Sequence, residues 1–385
     1  MQSREKTGRE VSVDYLRAFV TLLVLAHHSS LAYTTFAHFD TTNYLLSTAP
    51  IVDSQRWGFL DYAENFNDVF FMSLMFFISG LFVWPTLRTK GIGSFLRDRL
   101  LRLGLPFLVG AAFLMPLAYY PSWLATGGRP GYFAFWLGFL PNGGPPGPLW
   151  FIWLLLLFDL IAAGVWLLLR RHHGHFLVRS AHKAFLVIFV ISFFAYVPML
   201  ARFGFGTWVP LFFPPFYFQI ARIFLYLTWF FAGILIGSNG IRNGFLAENG
   251  SFARNWPWWI AACLLAYNLL WFVPGMIERS RGSTQLRDLS YVTLWVLSCC
   301  ASCFGLFALF HGVFTKRRKW MDTIARAAYI MYIIHYVYVI WTQYFLLGVP
   351  ASAEVKFSIT CALAISVSWV TAKLLLEVPI LKTVL

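Results

Sequence analysis

Runs of about twenty mostly apolar residues recur along nearly the whole 385-residue chain, as in WFIWLLLLFDLIAAGVWLLL from Trp150. Twenty residues of helix span a hydrocarbon layer some 30 Å thick, and a helix satisfies its own backbone where no water is present. Ten such helices fit, at about 14–34, 66–87, 103–123, 148–169, 184–200, 219–238, 257–276, 290–312, 323–345 and 353–376. The expected fold is all-α: one polytopic membrane domain over 1–385, with 1–13 as a tail. Charged residues make up only 12% of the chain, about half the usual share in soluble domains.

The net charge of +14 does not point to nucleic acid, because the basic residues sit in short clusters between the apolar runs. With the N-terminus inside, 19 Lys and Arg fall in cytoplasmic tails and loops. Six fall outside, namely Arg56, Arg129, Arg202, Arg279, Arg281 and Arg287. The reverse orientation inverts that bias, so both termini are expected on the cytoplasmic side. The N-terminal basic tail and first apolar run are read as a retained helix, since the run is long, carries Arg17 and lacks a small-residue cleavage site.

All five cysteines (Cys263, Cys299, Cys300, Cys303, Cys361) lie inside apolar runs and are read as packing residues. No HExxH, no metal-ligand cluster and no glycine-rich phosphate loop is present. The run RRHHGHF is read as a loop at a lipid surface rather than a metal site. No internal repeat stands out. The first outer loop, roughly 35–65, carries Asp40, Asp53, Asp61 and Glu64, and the third is dense in aromatics that suit either a sugar face or the interfacial belt.

The first helix contains Asp14, Arg17, His27 and His28. Ionisable groups inside a spanning helix are costly and usually have a partner or a task. Arg17 and His28 are eleven residues apart, which returns to within about 20° of one face at a separation of roughly 16 Å. Asp14 can brace Arg17 from three residues away. An anionic head near Arg17 and a reactive end near His28 describe one ligand, and the phosphopantetheine arm of an acyl-coenzyme A has that reach. The plainer reading is that Arg17 snorkels and His28 bonds a carbonyl.

Six motifs in order then bear on the choice. They are Asp14/Arg17/His28; FFMSLMFFISGLF ending near Ser79 and Gly80; FLRDRLLRLGLP with Arg99, Arg102 and Pro106; GPLWFIW at Trp150; AAYIMYIIHYVYVIW with Tyr332 and His335; and LLLEVP with Glu377 and Pro379. In these the chain resembles the membrane acyltransferase-3 family, and in its length and in closing on the ten helices it looks most like the glucan-succinylating branch.

The resemblance implies a ten-helix bundle that moves an acyl group, often acetyl or succinyl, from a cytoplasmic acyl-CoA to a hydroxyl of an extracytoplasmic glycan, glycolipid or related acceptor. It implies no bound cofactor, and the setting is a bacterial cytoplasmic (inner) membrane. His28 is expected as the general base, or as a nucleophile in a two-step variant. Arg17, braced by Asp14, is expected on the donor or on developing charge, and His335 at similar depth in the same site. Arg99, Arg102 and Ser79 are expected on the donor side; Glu64, Asp68, Trp150 and Arg222 on the acceptor side. Asp159, mid-helix, is expected either to orient a histidine or to pair with a helix arginine, and Tyr332 to lend a hydroxyl near His335. A transporter moving an acyl group or glycolipid without thioester chemistry is the alternative, and would favour discontinuous or repeated helices. The sequence does not name the acceptor, the acyl group or the oligomeric state.

Overall fold

The computed structural model describes residues 10–128, 131–169, 178–238, 240, 243–247 and 250–379. The N-terminal tail, Arg129 and the run RRHHGHF lie outside the described residues. The long helices are α1 (Val11–Ser30), α2 (Gly58–Gly80) and α3 (Val83–Ala125), then, after a short α4 (Tyr132–Phe139), α5 (Trp150–Leu169), α6 (Ala181–Phe203) and α7 (Ile223–Gly237). They continue with α8 (Trp256–Arg279), α9 (Thr284–Val313), α10 (Lys319–Leu346) and α11 (Ala353–Leu375). Eight of them are long and apolar enough to cross a membrane; α1 and α2 are not among these, because their own polar residues dilute their hydropathy. The fold is that of an all-α polytopic membrane protein.

The structure departs from the sequence reading at three places. Helix α2 begins eight residues earlier than expected, so Asp61 and Glu64 stand on the helix with Asp68 rather than in the loop before it. They are tolerated there because partners meet them: Asp61 accepts the backbone N–H of Thr35 at 2.8 Å and Asp68 accepts from Arg222. Helix α3 starts some twenty residues early and breaks at Gly91, whose φ of 75° suits a residue without a Cβ. The third loop holds a two-stranded ribbon, β1 (Trp208–Pro210) against β2 (Tyr217–Gln219).

Beyond Pro85 in its first turn, α3 contains Pro106, Pro116 and Pro121, and each of these three leaves unpaired the carbonyl four residues before it. Every one of those carbonyls is met by a side chain. Tyr329 donates to Arg102 O, Trp136 Nε1 donates to Ala112 O at 2.6 Å, and Trp341 Nε1 to Leu117 O at 3.0 Å. The two π-helical segments of α3, Leu100–Gly104 and Gly110–Leu114, each end two residues before a proline and widen the helix to admit its ring. Two of the three donors come from α10, so the prolines fasten α3 alongside that helix.

Helix α1 is central, packed on α2, α9, α10 and α11. Helix α9 is the most enclosed span, while α6, α8 and α11 turn most of their surface outward, in keeping with exposed apolar side chains such as Phe194 and Leu265. Helices α2 and α7 approach closely: a Cβ on Gly80 would run into Phe230 O, and one on Gly233 into Phe77 O. Small residues at a membrane helix contact give backbones this approach. The visible task of the Ser79–Gly80 motif is therefore packing, and the Ser79 hydroxyl donates to Met75 O within its own helix at 2.8 Å.

The segment between α1 and α2 is tied down. Lys356 of α11 and Asp53 of that segment form an ion pair of 2.6 Å with both side chains 2% exposed. Arg56 donates to Ala32 O and Ala37 O at 2.8 and 3.2 Å.

Candidate active site

The ring of His28, near the end of α1, meets His335 of α10 at 5.3 Å between centroids, and Tyr336 at 5.0 Å nearly edge-on. Sequence distance does not forbid this, since α1 and α10 both start at the basic end and pack side by side. Gln343, about two turns further along α10, donates through Nε2 to His28 O at 3.1 Å and Ser29 O at 3.2 Å. Those carbonyls belong to the last turn of α1, which has no further residues to bond them. Gln343 thus fixes the end of α1 against α10.

The nitrogens are differently committed. His335 Nδ1 is 2.7 Å from Tyr332 O; a carbonyl only accepts, so Nδ1 carries the proton and a neutral ring presents Nε2 as a lone pair. That Nε2 is buried with no hydrogen-bond partner among the described residues, as is His28 Nδ1. Buried polar atoms are rarely left so unless a ligand or a reaction uses them. Tyr332, for its part, gives its hydroxyl to Pro148 O, in the turn that leads into Trp150.

His27 stands beside this pair, its ring 5.2 Å from that of His28. Its Nε2 is 3.6 Å from Glu64 Oε1. Glu64 and Asp68 share one face of α2, and Asp68 takes Arg222 in a two-pronged bond of 2.8 and 2.5 Å. Arg222 is 1% exposed, with its guanidinium over Phe205 and Trp295. An anionic acceptor would have to displace Asp68 to reach it. Trp150 packs its ring on Tyr226 at 5.6 Å and on Trp208 at 5.5 Å.

Toward the basic end, Arg17 lies 3.7 Å from Asp14 with its guanidinium over Phe82. Arg99 Nε lies 3.1 Å from Asp159 Oδ2, and Asp159 is 1% exposed. The structure therefore gives Asp159 an arginine rather than a histidine. The contact is at ion-pair distance but misses hydrogen-bond geometry, so both Asp159 oxygens rank as buried atoms without a hydrogen bond. A donor phosphate arriving at Arg99 competes with that carboxylate. Arg102 is brought to α10 through its backbone, by Tyr329.

The sequence reading missed Tyr336, Gln343 and the His27–Glu64 contact. Gln343 carried a signal, being a polar residue in the apolar stretch of α10. Tyr336 carried none among so many aromatics.

The sequence pattern of the family described as "Acyltransferase domain" matches residues 10–373, nearly the whole chain, from the start of α1 into the last turn of α11. The chain belongs to acyltransferase family 3. It is a membrane acyltransferase, and the histidine pair, Arg17, Arg99, Arg102 and Arg222, and Trp150 lie within the matched region. Neither the curated proteins nor the solved structures include a match to this chain.

Proposed function

We propose that this acyltransferase-3 protein moves an acetyl- or succinyl-type group from acyl-CoA at the basic, cytoplasmic end to a hydroxyl of a glycan, glycolipid or related acceptor at the opposite end. The proposed setting is a bacterial inner membrane with both termini cytoplasmic, as the distribution of Lys and Arg suggests. The observation that carries the reading is the pair of unpartnered buried nitrogens, His28 Nδ1 and His335 Nε2, on rings 5.3 Å apart.

In this reading His28 takes the proton of the acceptor hydroxyl as its oxygen attacks the thioester carbonyl carbon. The tetrahedral adduct collapses, the carbon–sulfur bond breaks, and the leaving thiolate takes the proton back from the imidazolium. The products are an ester and free coenzyme A, with no proton gained or lost overall. His335, held in one tautomer by Tyr332 O, shares the proton with His28 or receives the hydroxyl before it. Arg17 and Arg102 hold donor phosphates, with Arg99 joining them when it leaves Asp159. Ser79 stands on the donor side of α2; Glu64, Asp68, Trp150 and Arg222 shape the acceptor side.

The test is purified protein in lipid nanodiscs with labelled acetyl-CoA or succinyl-CoA. Slow release of free thiol without acceptor, faster release with cell-envelope glycans, and labelled ester product are expected. Movement of label across a vesicle membrane with no thioester cleavage would replace the enzyme with a transporter.

A further inference from the structure

A polar cavity at the basic end plays no part in the chemistry at the histidine pair. It measures about 220 Å³ and is lined by Asp14 and Tyr15 of α1 and by Arg317, Asp322 and Arg326 at the start of α10. Its wall is held by defined contacts. Tyr15 donates to Asp322 Oδ1 at 2.9 Å and accepts the Arg318 backbone N–H at 2.7 Å. Arg317 lies 3.8 Å from Asp322, and among the described residues Arg326 donates through Nε to Asp322 O at 3.2 Å. Both arginines are otherwise exposed to the cavity mouth.

The register of the two helices relates this cavity to the reaction site. Tyr15 stands thirteen residues before His28 on α1, and Asp322 thirteen residues before His335 on α10. Each interval is a rise of about 20 Å, and the two helices run side by side in one direction. The cavity and the histidine pair thus lie at two levels of the α1–α10 contact, a length apart that an extended phosphopantetheine arm spans, and because thirteen residues turn a helix by about 140° they open on different flanks of that contact.

The lining selects among anions. Two carboxylates among two arginines disfavour a bare phosphate, and suit a ligand that offers phosphate esters to arginine and hydroxyl or amino groups to carboxylate. The volume is below the roughly 300–1,000 Å³ that encloses a whole drug-sized ligand, so the cavity takes one end of a longer molecule. We infer that it binds the phosphorylated nucleoside end of the donor, with Arg317 and Arg326 on the nucleoside phosphate and Asp14 and Asp322 on sugar hydroxyls or the base amine. Arg17, 3.7 Å from the Asp14 of the lining, then meets the diphosphate. The inference rests on the acyl-CoA reading and adds to it where the nucleotide sits. A phosphate ester at this level has a second source, the headgroup of an anionic lipid.

The experiment titrates adenosine 3′,5′-bisphosphate, which lacks the arm and the acyl group, into the full-length protein in nanodiscs of neutral lipid. Wild type binds it; Arg317→Ala and Arg326→Ala weaken binding at least about tenfold, and Arg202→Ala at the opposite end does not. The same two variants raise KM for acyl-CoA by a similar factor yet turn over acyl-pantetheine, which has no nucleotide, as wild type does. Equal losses with both donors, or nucleotide binding untouched by Arg326→Ala, overturn the inference. Loss of co-purifying anionic lipid with unchanged nucleotide binding also overturns it, and makes the cavity a headgroup site. Arginine-dependent nucleotide binding without any thioester cleavage leaves the cavity assignment standing and removes the acyl-transfer reading instead.

Discussion

His28 and His335 face each other across the α1–α10 seam with ring centres 5.3 Å apart, and each keeps a buried nitrogen that no described residue satisfies. Their surroundings differ. His335 is 0% exposed and locked through Nδ1 to the backbone, whereas His28 is held from behind by Gln343 at its own carbonyl. A base that approaches substrate needs the freer ring, and a partner that sets the proton needs the locked one.

Removal of the base therefore costs more than removal of its partner. His28→Ala is expected to lower acyl transfer by about 10²–10⁴-fold, and donor thioester cleavage with it. His335→Ala is expected to lower kcat by less, with KM for the donor unchanged, because its hydrogen bond is made within its own helix, at Tyr332 O. Steady-state kinetics on variants that keep wild-type melting curves decide this. Equal rates for His28→Ala and wild type would move the chemistry elsewhere.

Gln343→Leu tests positioning rather than chemistry. The last turn of α1 loses two donors to its carbonyls, each buried acceptor left unmet costing about 1–3 kcal/mol. The expected result is a lower melting temperature together with a fall in kcat. Gln343→Glu should not rescue either, because a carboxylate cannot donate to His28 O and Ser29 O; Gln343→Asn, with the same amide on a shorter stem, should rescue in part.

How far the site was legible follows from these residues. Arg17 and His28 could be placed on one stripe because eleven residues is close to three helical turns. His335 could be matched in depth to His28 because both sit fourteen residues past a recognisable helix start. What spacing does not carry is azimuth. Only the packing of α1 on α10 turns the two rings toward each other, and only the antiparallel register of α3 on α5 brings Arg99 to Asp159. The eight helices that are long and apolar enough to cross a membrane among the described residues were all visible as apolar runs. The early start of α2 was not, because Asp61 and Glu64 read as loop until Thr35 and His27 are known to meet them.

The Arg99–Asp159 pair separates stability from donor binding. Asp159→Leu alone leaves a largely buried guanidinium, and breaking such a pair costs about 3–5 kcal/mol. The double variant Arg99→Met/Asp159→Leu should recover most of that loss, since apolar replacements of a buried pair are often neutral. Melting of the three variants in detergent measures the coupling. If Arg99 serves the donor, the double variant stays folded but keeps a raised KM for acyl-CoA; a wild-type KM would confine Arg99 to a structural role.

Lys356 and Asp53 invite the same cycle at the opposite end, with a different readout. Both are 2% exposed at 2.6 Å, so Lys356→Met or Asp53→Leu alone should destabilise by about 3–5 kcal/mol and loosen the segment between α1 and α2. Limited proteolysis at Arg56, which is protected while its guanidinium bonds Ala32 O and Ala37 O, should then become fast. Lys356→Met/Asp53→Leu together should restore protection. Cleavage as slow in either single variant as in wild type would mean that the segment is held by its other contacts.

The prolines of α3 give the strictest test of the fold, because they predict a rescue by removing a residue. Tyr329→Phe strands the Arg102 carbonyl that Pro106 leaves open, at a cost of about 1–3 kcal/mol. Pro106→Ala restores a backbone N–H at that position, and the helix can close on the carbonyl itself. Tyr329→Phe should accordingly be harmful in the wild-type background and nearly neutral in Pro106→Ala, with a coupling energy of about 1 kcal/mol or more between the two sites. Trp341→Phe, whose carbonyl is freed by Pro121, should show no such dependence on Pro106. Additive effects of Tyr329→Phe and Pro106→Ala on the melting temperature would mean that the tyrosine holds α10 to α3 by packing alone.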